Sequence, residues 1–581
     1  MKLKRIFAFV LALCMLLCVG CSHTDDPDQT LHEPPNADID TSKTYTLTIY
    51  RSRDSGMTDG ERDEEVKAAI EEKFYQDTGI KIVLDVNIYT NTQINDIVDV
   101  NFNNKNKNID GIIHYLSEDS GSAITKYAKD VESVIDLDPV LALHGTNILA
   151  ALQMNDTDHI ADRSGYFPYE GEYYRTALTS FAREGGFGIL MRKDLMAAVQ
   201  DKTGLDPEDY DITNEGYKSM TISEFEEVMR AIKEDSGNDV TIPVAGAPWD
   251  LQRTVATAFG VNAIAGYGLD ENGNYVPSQF TPGWGKYVDL MYNWSKDGIW
   301  ESESNNITDD QRQTNFIAGT AAAYLAYPTA EQLISLSKKF YAANTGSEEL
   351  MVIAPFASEN ESGDCLYDEN GQQVVNGNLK TYRSFYGMIV PYRSENYEVL
   401  IKFLDWTYSS ADNYELCQYG VKGVDWVEGE DFVSNGITYK TWAYPSEKAD
   451  EYLVKPPYAG KYLLLPNINV SNRICAHYNT TEKLWYTTLY YDFPQYGDPK
   501  VEGIWLPETP RQLSNAATEL DGQYVDEIRS YAWVGLKNQG KTPLELLNEY
   551  YALRDTFSDY FTWLNEQYQT AQAYFADKYG Q

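Results

Sequence analysis

The stretch Gly535, Leu536, Lys537, Asn538, Gln539, Gly540, Lys541, Thr542 matches the phosphate-binding pattern G-x-x-x-x-G-K-[ST] letter for letter. In that pattern backbone N–H groups cradle phosphate, and the Lys-Thr pair sits inside a helix that follows a buried strand. Here Pro543 follows Thr542 directly, suits the first turn of a new helix over residues 544–553, and disfavours helical geometry at Thr542 itself. The stretch is read as a turn between helices, not a nucleotide site. Asp270, Glu271, Asn272, Gly273 and Asn274 offer oxygen donors in the manner of a calcium loop, but Tyr275 holds the sixth position, where the sharp turn requires glycine. A hairpin turn is expected there and at Asp368 to Gly371. The six histidines (His23, His32, His114, His144, His159, His477) make no H-E-x-x-H pair. Beyond the first 21 residues the cysteines are Cys365, Cys417 and Cys475, without a C-x-x-C pair. No metal, cofactor or disulfide framework is implied, and one disulfide among the three is left open. No G-x-S-x-G elbow occurs. With 88 carboxylates, pairs suited to glycoside hydrolysis arise by chance, and only their separation in space distinguishes them.

Composition narrows the partner. The 88 Asp and Glu against 47 Lys and Arg give a formal charge of −41, which argues against nucleic acid, since phosphate binding needs clustered cations. The 45 Tyr, 20 Phe and 11 Trp bring aromatics to 13%, too many for an acidic disordered chain. A length of 581 residues predicts two or more domains, with room for a cleft between them.

The N-terminus addresses the chain outward. Lys2, Lys4 and Arg5 precede an apolar run from Ile6 to Val19, too short to span a bilayer comfortably and typical of an export signal. Leu17, Cys18, Val19, Gly20, Cys21 resembles a bacterial lipobox, with Cys18 where leucine is usual. Residues 1–20 are therefore read as a signal peptide and Cys21 as the lipidation site. Residues 21–43 are read as the lipidated cysteine and a disordered tether, rich in Asp and Pro (Asp25, Asp26, Pro27, Asp28, Pro34, Pro35). The expected location is the outer face of the cytoplasmic membrane, held by acyl chains without a polybasic patch. The alternative is a plain secretory signal with a bystander cysteine.

Past the tether, strand and helix signals alternate. Thr44 to Tyr50 alternates β-branched and aromatic residues. Val66, Ala69, Ile70 and Phe74 follow at helical spacing up to Gly79, and Ile80 to Ile88 alternates again. A second amphipathic stretch starts at Gln93, and Ile109 to Tyr115 reads as a third strand. A βαβαβ run predicts a parallel sheet whose ligands approach the carboxyl ends of its strands, so the loops that matter begin at Arg51 and Tyr115.

Phe187, Gly188, Ile189, Leu190, Met191 leading into Arg192, Lys193, Asp194, Leu195, then Thr221, Ile222, Ser223, Glu224, Phe225, resembles family 1 of the extracellular solute-binding proteins of ABC importers, the group that includes maltose-binding protein. The residues also stand on their own, because Thr221 and Glu224 form a capping box ahead of Phe225, Val228, Met229 and Ile232 at helical spacing. Phe316 to Tyr327 looks like that family's F-x-x-G-x-A-A-M strand. Ser384 to Tyr392 looks like the strand returning to the first lobe, with a helix from Glu395 to Tyr408 after it. Tyr419, Gly420, Val421, Lys422, Gly423, Val424, Asp425, Trp426 resembles the Y-G-x-E-G-x-x-Y signature of the large lipoprotein branch, with Lys422 and Trp426 in place of the glutamate and second tyrosine.

The resemblance implies an α/β, two-lobed periplasmic-binding-protein-like fold (type II), each lobe a mixed or mostly parallel sheet flanked by helices. Residues 44–188 and 384–420 would form lobe 1 and 189–383 lobe 2. Residues 421–581 would be a mainly helical extension packing on lobe 2 and the hinge. Placing the family's cleft loops on this chain implies ligand-binding roles for Arg51, Arg53, Asp54, Tyr115, Glu118, Asp119, Trp249, Asp250, Tyr327, Arg383, Tyr386 and Trp426. The implied cargo is a carbohydrate, an oligosaccharide, captured by lobe closure and passed to ABC permease subunits by a monomeric, non-enzymatic protein. Aromatic faces would stack on sugar rings, and carboxylates, Arg and amides would bond the hydroxyls. The rival readings are a surface glycoside hydrolase or polysaccharide lyase, an adhesion lipoprotein, and a binding protein for short peptides.

Overall fold

The computed structural model describes residues 34–53, 59–103, 109–116, 122–154, 159–180, 188–235, 240–248, 251, 254–261, 266–301, 307–325, 330–375, 386–492, 500–501, 503–518, 520 and 524–580. Among them no helix is long and apolar enough to cross a membrane.

Side chains alternate through β1 (Thr44–Ser52), where Leu47 and Ile49 are fully buried, and through β2 (Lys81–Tyr89), where Ile82, Leu84 and Val86 point inward. Between them α1 (Asp63–Thr78) lays Val66, Ile70 and Phe74 on the sheet and stops at Gly79, whose φ of 74° is left-handed. With α2 (Asn91–Asn103) and β3 (Gly111–Tyr115) this completes the βαβαβ run, and β1 pairs in parallel with both β2 and β3. After α3 (Ala123–Ala128) come the hairpin β4 (Tyr166–Tyr169) and β5 (Glu172–Arg175), then β6 (Ala177–Thr179).

The chain next builds a second sheet. Its elements are β7 (Ile189–Arg192), α4 (Ile222–Asp235), β8 (Val244–Ala245), the hairpin of β9 (Tyr267–Leu269) and β10 (Tyr275–Pro277), β11 (Ala323–Tyr324), α5 (Ala330–Ala343) and β12 (Leu350–Ile353). It returns as β13 (Tyr386–Ile389), α6 (Tyr397–Tyr408) and α7 (Ala411–Tyr419).

The first sheet has the order β2-β1-β3-β13-β6, with β13 antiparallel to both neighbours. The second has the order β12-β7-β11-β8, with β7 antiparallel to β11 and β12 and β8 parallel to β11. The fold class is thus α/β with two mixed sheets flanked by helices, as the sequence predicts. Gly387 allows β13 to lie this close to the loop after β3, because a Cβ there would meet Leu116 Cδ1 at 2.1 Å.

Residues after α7 contribute β14 (Thr441–Ala443), β15 (Ile474–Cys475), α8 (Thr480–Thr487), α9 (Pro543–Tyr551) and the 22-residue α10 (Ser558–Tyr579). They serve both sheets. Tyr458, Tyr462, Leu463, Leu464 and Leu465 join the core of the first. Trp485, Tyr486, Leu489 and Tyr490 join the core beside α5. Faces of α9 and α10 close over Trp284, Trp294 and Trp300. Ahead of β1, Asn36 donates from N and Nδ2 to Glu398 Oε1 at 3.2 and 3.0 Å, which holds the start of the described chain against α6.

The segment Phe316 to Tyr327, expected to be one strand, divides. Phe316 belongs to a helix, Asp309–Ile317, which Thr308 caps by accepting from Gln311 N. Gly319, at φ 78°, turns the chain, and among the described residues of this segment Ala323–Tyr324 forms the strand. The capping box at Thr221 and Glu224 forms in both directions, at 2.9 and 3.1 Å. In the phosphate-pattern stretch, Thr542 caps α9 with Pro543 in its first turn, and Lys541 pairs with Glu549. Asp270 closes the β9–β10 hairpin by accepting from Asn272 N and Asn274 N, both at 2.9 Å, and its other oxygen accepts from Arg554.

One ionic cluster fastens α10 to the β4–β5 hairpin. Arg175, whose side chain is 2% exposed, donates to Asp138 and Asp162 at 2.7 Å each and to Tyr166 Oη at 2.8 Å. Tyr579, at the end of α10, donates to the other oxygen of Asp162 at 2.7 Å and stacks on His159. Removing the guanidinium takes the Arg175 charge away from the buried Asp162 carboxylate. Arg175→Met is expected to cost about 3–5 kcal/mol and Tyr579→Phe about 1 kcal/mol, read from urea unfolding curves.

Candidate functional site

Parallel pairing brings the carboxyl ends of β1 and β3 to one edge of the first sheet, and β13, running the other way, begins there. Two expected residues meet as a result. Tyr386 lies opposite Tyr115 in register, with ring centroids 4.5 Å apart. Beside them His114 is buried, and burial lowers its pKa to about 4, so the imidazole is neutral.

Other expected residues serve the chain. Arg51, 2% exposed, donates to the carbonyl oxygens of Leu463 and Lys461 at 2.9 and 3.3 Å, which clamps the later segment to β1. Arg53 is exposed, and its backbone N donates to Tyr89 O. Trp426 is 2% exposed, donates from Nε1 to Gly420 O at 3.1 Å, and lies between Tyr419 and the Arg473 guanidinium, 5.4 and 5.2 Å from its ring. Asp54, Glu118, Asp119, Trp249, Asp250, Tyr327 and Arg383 lie outside the described residues, as does Cys21.

A cavity of about 290 Å³ opens on the far side of Tyr419. One wall is α7, through Tyr414, Gln418 and Tyr419, and α7 packs against α6 of the first sheet's layer. The opposite wall belongs to the second sheet's layer: Glu331 in the first turn of α5, Tyr486 of α8, and Tyr490. Trp442, Asn472, Arg473 and Tyr478 close the space between them.

The rings are grouped. Tyr419 stacks on Trp442 with centroids 5.4 Å apart and planes at 27°, and Tyr486 stacks on Tyr490 at 4.4 Å and 24°. Tyr490 donates to Glu331 Oε2 at 2.9 Å. Burial raises the phenol pKa of Tyr478, Tyr486 and Tyr490, and the Glu331 charge raises each further, so all three stay protonated at neutral pH.

Arg473 is held in place. Nε donates to Glu415 Oε1 at 2.6 Å, Nη2 to Glu415 Oε2 at 3.3 Å and Glu428 Oε1 at 3.2 Å, and Nη1 to Thr441 O at 3.3 Å. Burial alone would lower its pKa, but the bond and charge of Glu415 outweigh that and raise it.

The cavity therefore offers stacked aromatic faces, protonated phenols, the amides of Gln418 and Asn472, one carboxylate and a locked guanidinium. It holds no constellation of His, Cys and carboxylates fit for a metal among the described residues. Two other cavities are larger but more open. One lies by Lys129, Tyr267, Glu508 and Trp563, the other along the outer face of α4 by Glu226 and Arg230.

Sequence reasoning reached this wall only through the Tyr419–Trp426 segment. Glu331, Tyr414, Trp442, Arg473, Tyr478, Tyr486 and Tyr490 come from separate stretches. The one available signal was ring density, as in Trp485, Tyr486, Tyr490 and Tyr491.

No protein-family model matches the chain, and no curated protein does. Solved structures do. An N-glycan transport solute-binding protein, NgtS, from Streptococcus pneumoniae is 12% identical with a TM-score of 0.57, over 92% of this chain and 99% of that one. An HMO-binding, ABC-transporter-associated solute-binding protein from Bifidobacterium longum infantis gives the same identity, score and coverage. The substrate-binding protein FusA of S. pneumoniae, in complex with kestose, is 12% identical with a TM-score of 0.53, over 91% and 99%. The chain has the fold of an ABC-transporter solute-binding protein.

In the solute-binding fold as built here, neutral His114 makes stability depend on pH. Its folded pKa, about 4, lies below the unfolded value near 6.5, so the contribution is full above pH 6.5 and is lost as pH falls toward 4. Urea titrations across that window are expected to show a loss of up to about 3 kcal/mol from this group, and His114→Leu is expected to flatten the curve there.

Proposed function

We propose that this chain is a solute-binding protein that captures a carbohydrate, an oligosaccharide, and delivers it to the permease of an ABC importer. The observation that carries the reading is the cavity between α7 and α5, where the Tyr419–Trp442 and Tyr486–Tyr490 stacks stand beside Gln418, Asn472 and Glu331. A sugar has apolar faces and hydroxyl rims, and those surfaces match stacked rings beside donors and acceptors. The similar structures are named for N-glycan, HMO and kestose binding, which supports the same class of cargo.

In this reading the two sheets are the cores of two lobes, residues 44–188 with 384–420 and residues 189–383, and capture is a hinge closure between them. The extension over 421–581 supplies Trp442, Arg473 and the α8 tyrosines. Tyr115 and Tyr386 would then contact the ligand from the first sheet, the role the sequence also implies for Asp54, Glu118, Asp119, Trp249, Asp250, Tyr327 and Arg383, which lie outside the described residues. Cys21 carries lipid and keeps the protein, as a monomer, at the outer face of the cytoplasmic membrane. Capture involves no covalent step.

The test is a thermal-shift and calorimetric screen of residues 22–581 against mono- and oligosaccharides, with each mixture assayed for products. A selective rise in melting temperature with intact sugar supports the reading, since a ligand bound only by the native state stabilises it. Turnover of a glycan would replace it with a hydrolase or lyase. A flat response across the sugars would replace it with a peptide-binding or adhesive role. With a binding sugar in hand, Trp442→Ala is expected to weaken affinity about tenfold by removing one stacking face, whereas Trp563→Ala, in a different cavity, leaves it unchanged.

A further inference from the structure

The charges lining the cavity are unevenly matched, and that bears on which carbohydrates enter it. Arg473 is the one cation among its described lining residues, and every nitrogen of the guanidinium already has a protein acceptor: Nε and Nη2 on Glu415, Nη2 also on Glu428, and Nη1 on Thr441 O. Glu415 receives Ser471 Oγ at 2.7 Å as well, so the pair is braced from both sides. A guanidinium whose two-pronged face is occupied by a glutamate cannot offer that face to a ligand carboxylate.

Glu331 is not balanced in this way. It faces the cavity from the first turn of α5, accepts from Tyr490 Oη, and has no cationic partner among the described residues. Neither nearby lysine pairs with Glu331. Lys338 pairs with Glu482 at 3.4 Å while lying 5.2 Å from the centre of the Tyr478 ring, and Lys483 lies over the Phe432 ring. Neutral phenols, amides, the Ser471 hydroxyl and the Cys475 thiol make up the rest of the polar lining, in a chain whose formal charge is −41. A hydroxyl donates well to the Glu331 carboxylate, whereas a second carboxylate or a sulfate there meets like charge.

We propose that the cavity takes an uncharged glycan unit and rejects units bearing uronate, sialate or sulfate, with Glu331 setting the preference. This rests on the carbohydrate reading above and narrows it to neutral sugars.

The experiment compares acidic sugars with matched uncharged counterparts: α-1,4-linked galacturonate trisaccharide with its methyl ester, sialyllactose with its methyl ester, and β-1,4-linked mannuronate trisaccharide with β-1,4-linked mannotriose. Each is titrated calorimetrically into residues 22–581 and into Glu331→Gln, whose amide oxygen still accepts from Tyr490. The expected result is that in any pair that binds, the neutral member binds about tenfold tighter or more, and that Glu331→Gln narrows the gap to within about threefold at an unchanged melting temperature. Tighter binding of an acidic member, or equal binding of both, overturns the inference while leaving a carbohydrate-binding protein. A neutral preference that Glu331→Gln does not move overturns the assignment to Glu331. A variant with a lowered melting temperature is replaced by Glu331→Ala, read by the same ratio. No binding of any member, together with no response to the wider sugar panel, overturns the carbohydrate reading itself.

Discussion

A phenol hydroxyl taken out of water has to find a partner, and in a chain with 45 tyrosines this requirement organises the molecule. Many of the partners are carbonyl oxygens far away in sequence. Tyr408 donates to Leu465 O and Tyr458 to Cys417 O, both at 2.6 Å, while Tyr414 accepts from Asn467 N. These bonds sew the stretch after α7 onto the helices of the first sheet. Tyr173 donates to Trp505 O, Tyr574 to Tyr173 O and Tyr568 to Lys500 O, which does the same for α10 and the segment before it. Burial raises the pKa of Tyr408 and Tyr458 well above that of a free phenol, so the donors persist across the physiological range.

The same economy explains why so much aromatic content is not binding surface. Trp284, Trp294, Trp300, Trp426, Trp485 and Trp505 are all essentially without solvent contact. Trp505 stacks on Phe167 at 4.7 Å and donates to Ser164 O, so it acts as a rivet between the 501–508 segment and β4. The rings left half-exposed are fewer, and Tyr419, Trp442 and Tyr478 among them gather at one cavity. Burial of most rings therefore concentrates stacking surface in the place where two layers of structure meet.

The electrostatics follow a similar division of labour. Arg51, Arg175 and Arg473 are each spent inside the protein, on backbone carbonyls or on carboxylates, and each joins segments far apart in the chain. Such pairs contribute little net stability against an apolar alternative, but removing one partner strands the other. Their effect here is positional. Arg51 sets the 461–463 segment on β1, and Arg473 sets β15 against α7, which fixes the distance between the cavity walls.

Much of the fold could be read from local pattern. Period-two alternation in 44–50 and 80–88, the helical spacing of Val66, Ile70 and Phe74, the Thr221–Glu224 box and the Thr542-Pro543 helix start depend on neighbours within a few residues, and all appear in the structure as elements. Phe316 to Tyr327 did not follow the expected strand because a Thr308 cap and the left-handed Gly319 act over a wider window than the motif. Of the expected binding residues, Tyr115 and Tyr386 come together because strand direction brings their ends to one edge. Arg51 and Trp426 turn inward instead, because carbonyls at 461, 463 and 420, distant or local, offer bonds that no side-chain type announces. The cavity walls were beyond sequence reasoning for the same reason. Glu331, Tyr419, Trp442, Arg473 and Tyr490 are neighbours only once two cores have packed and tyrosine hydroxyls have chosen their carbonyls. Local sequence determined the elements, the charge and the supply of rings; long-range burial decided which rings face a ligand.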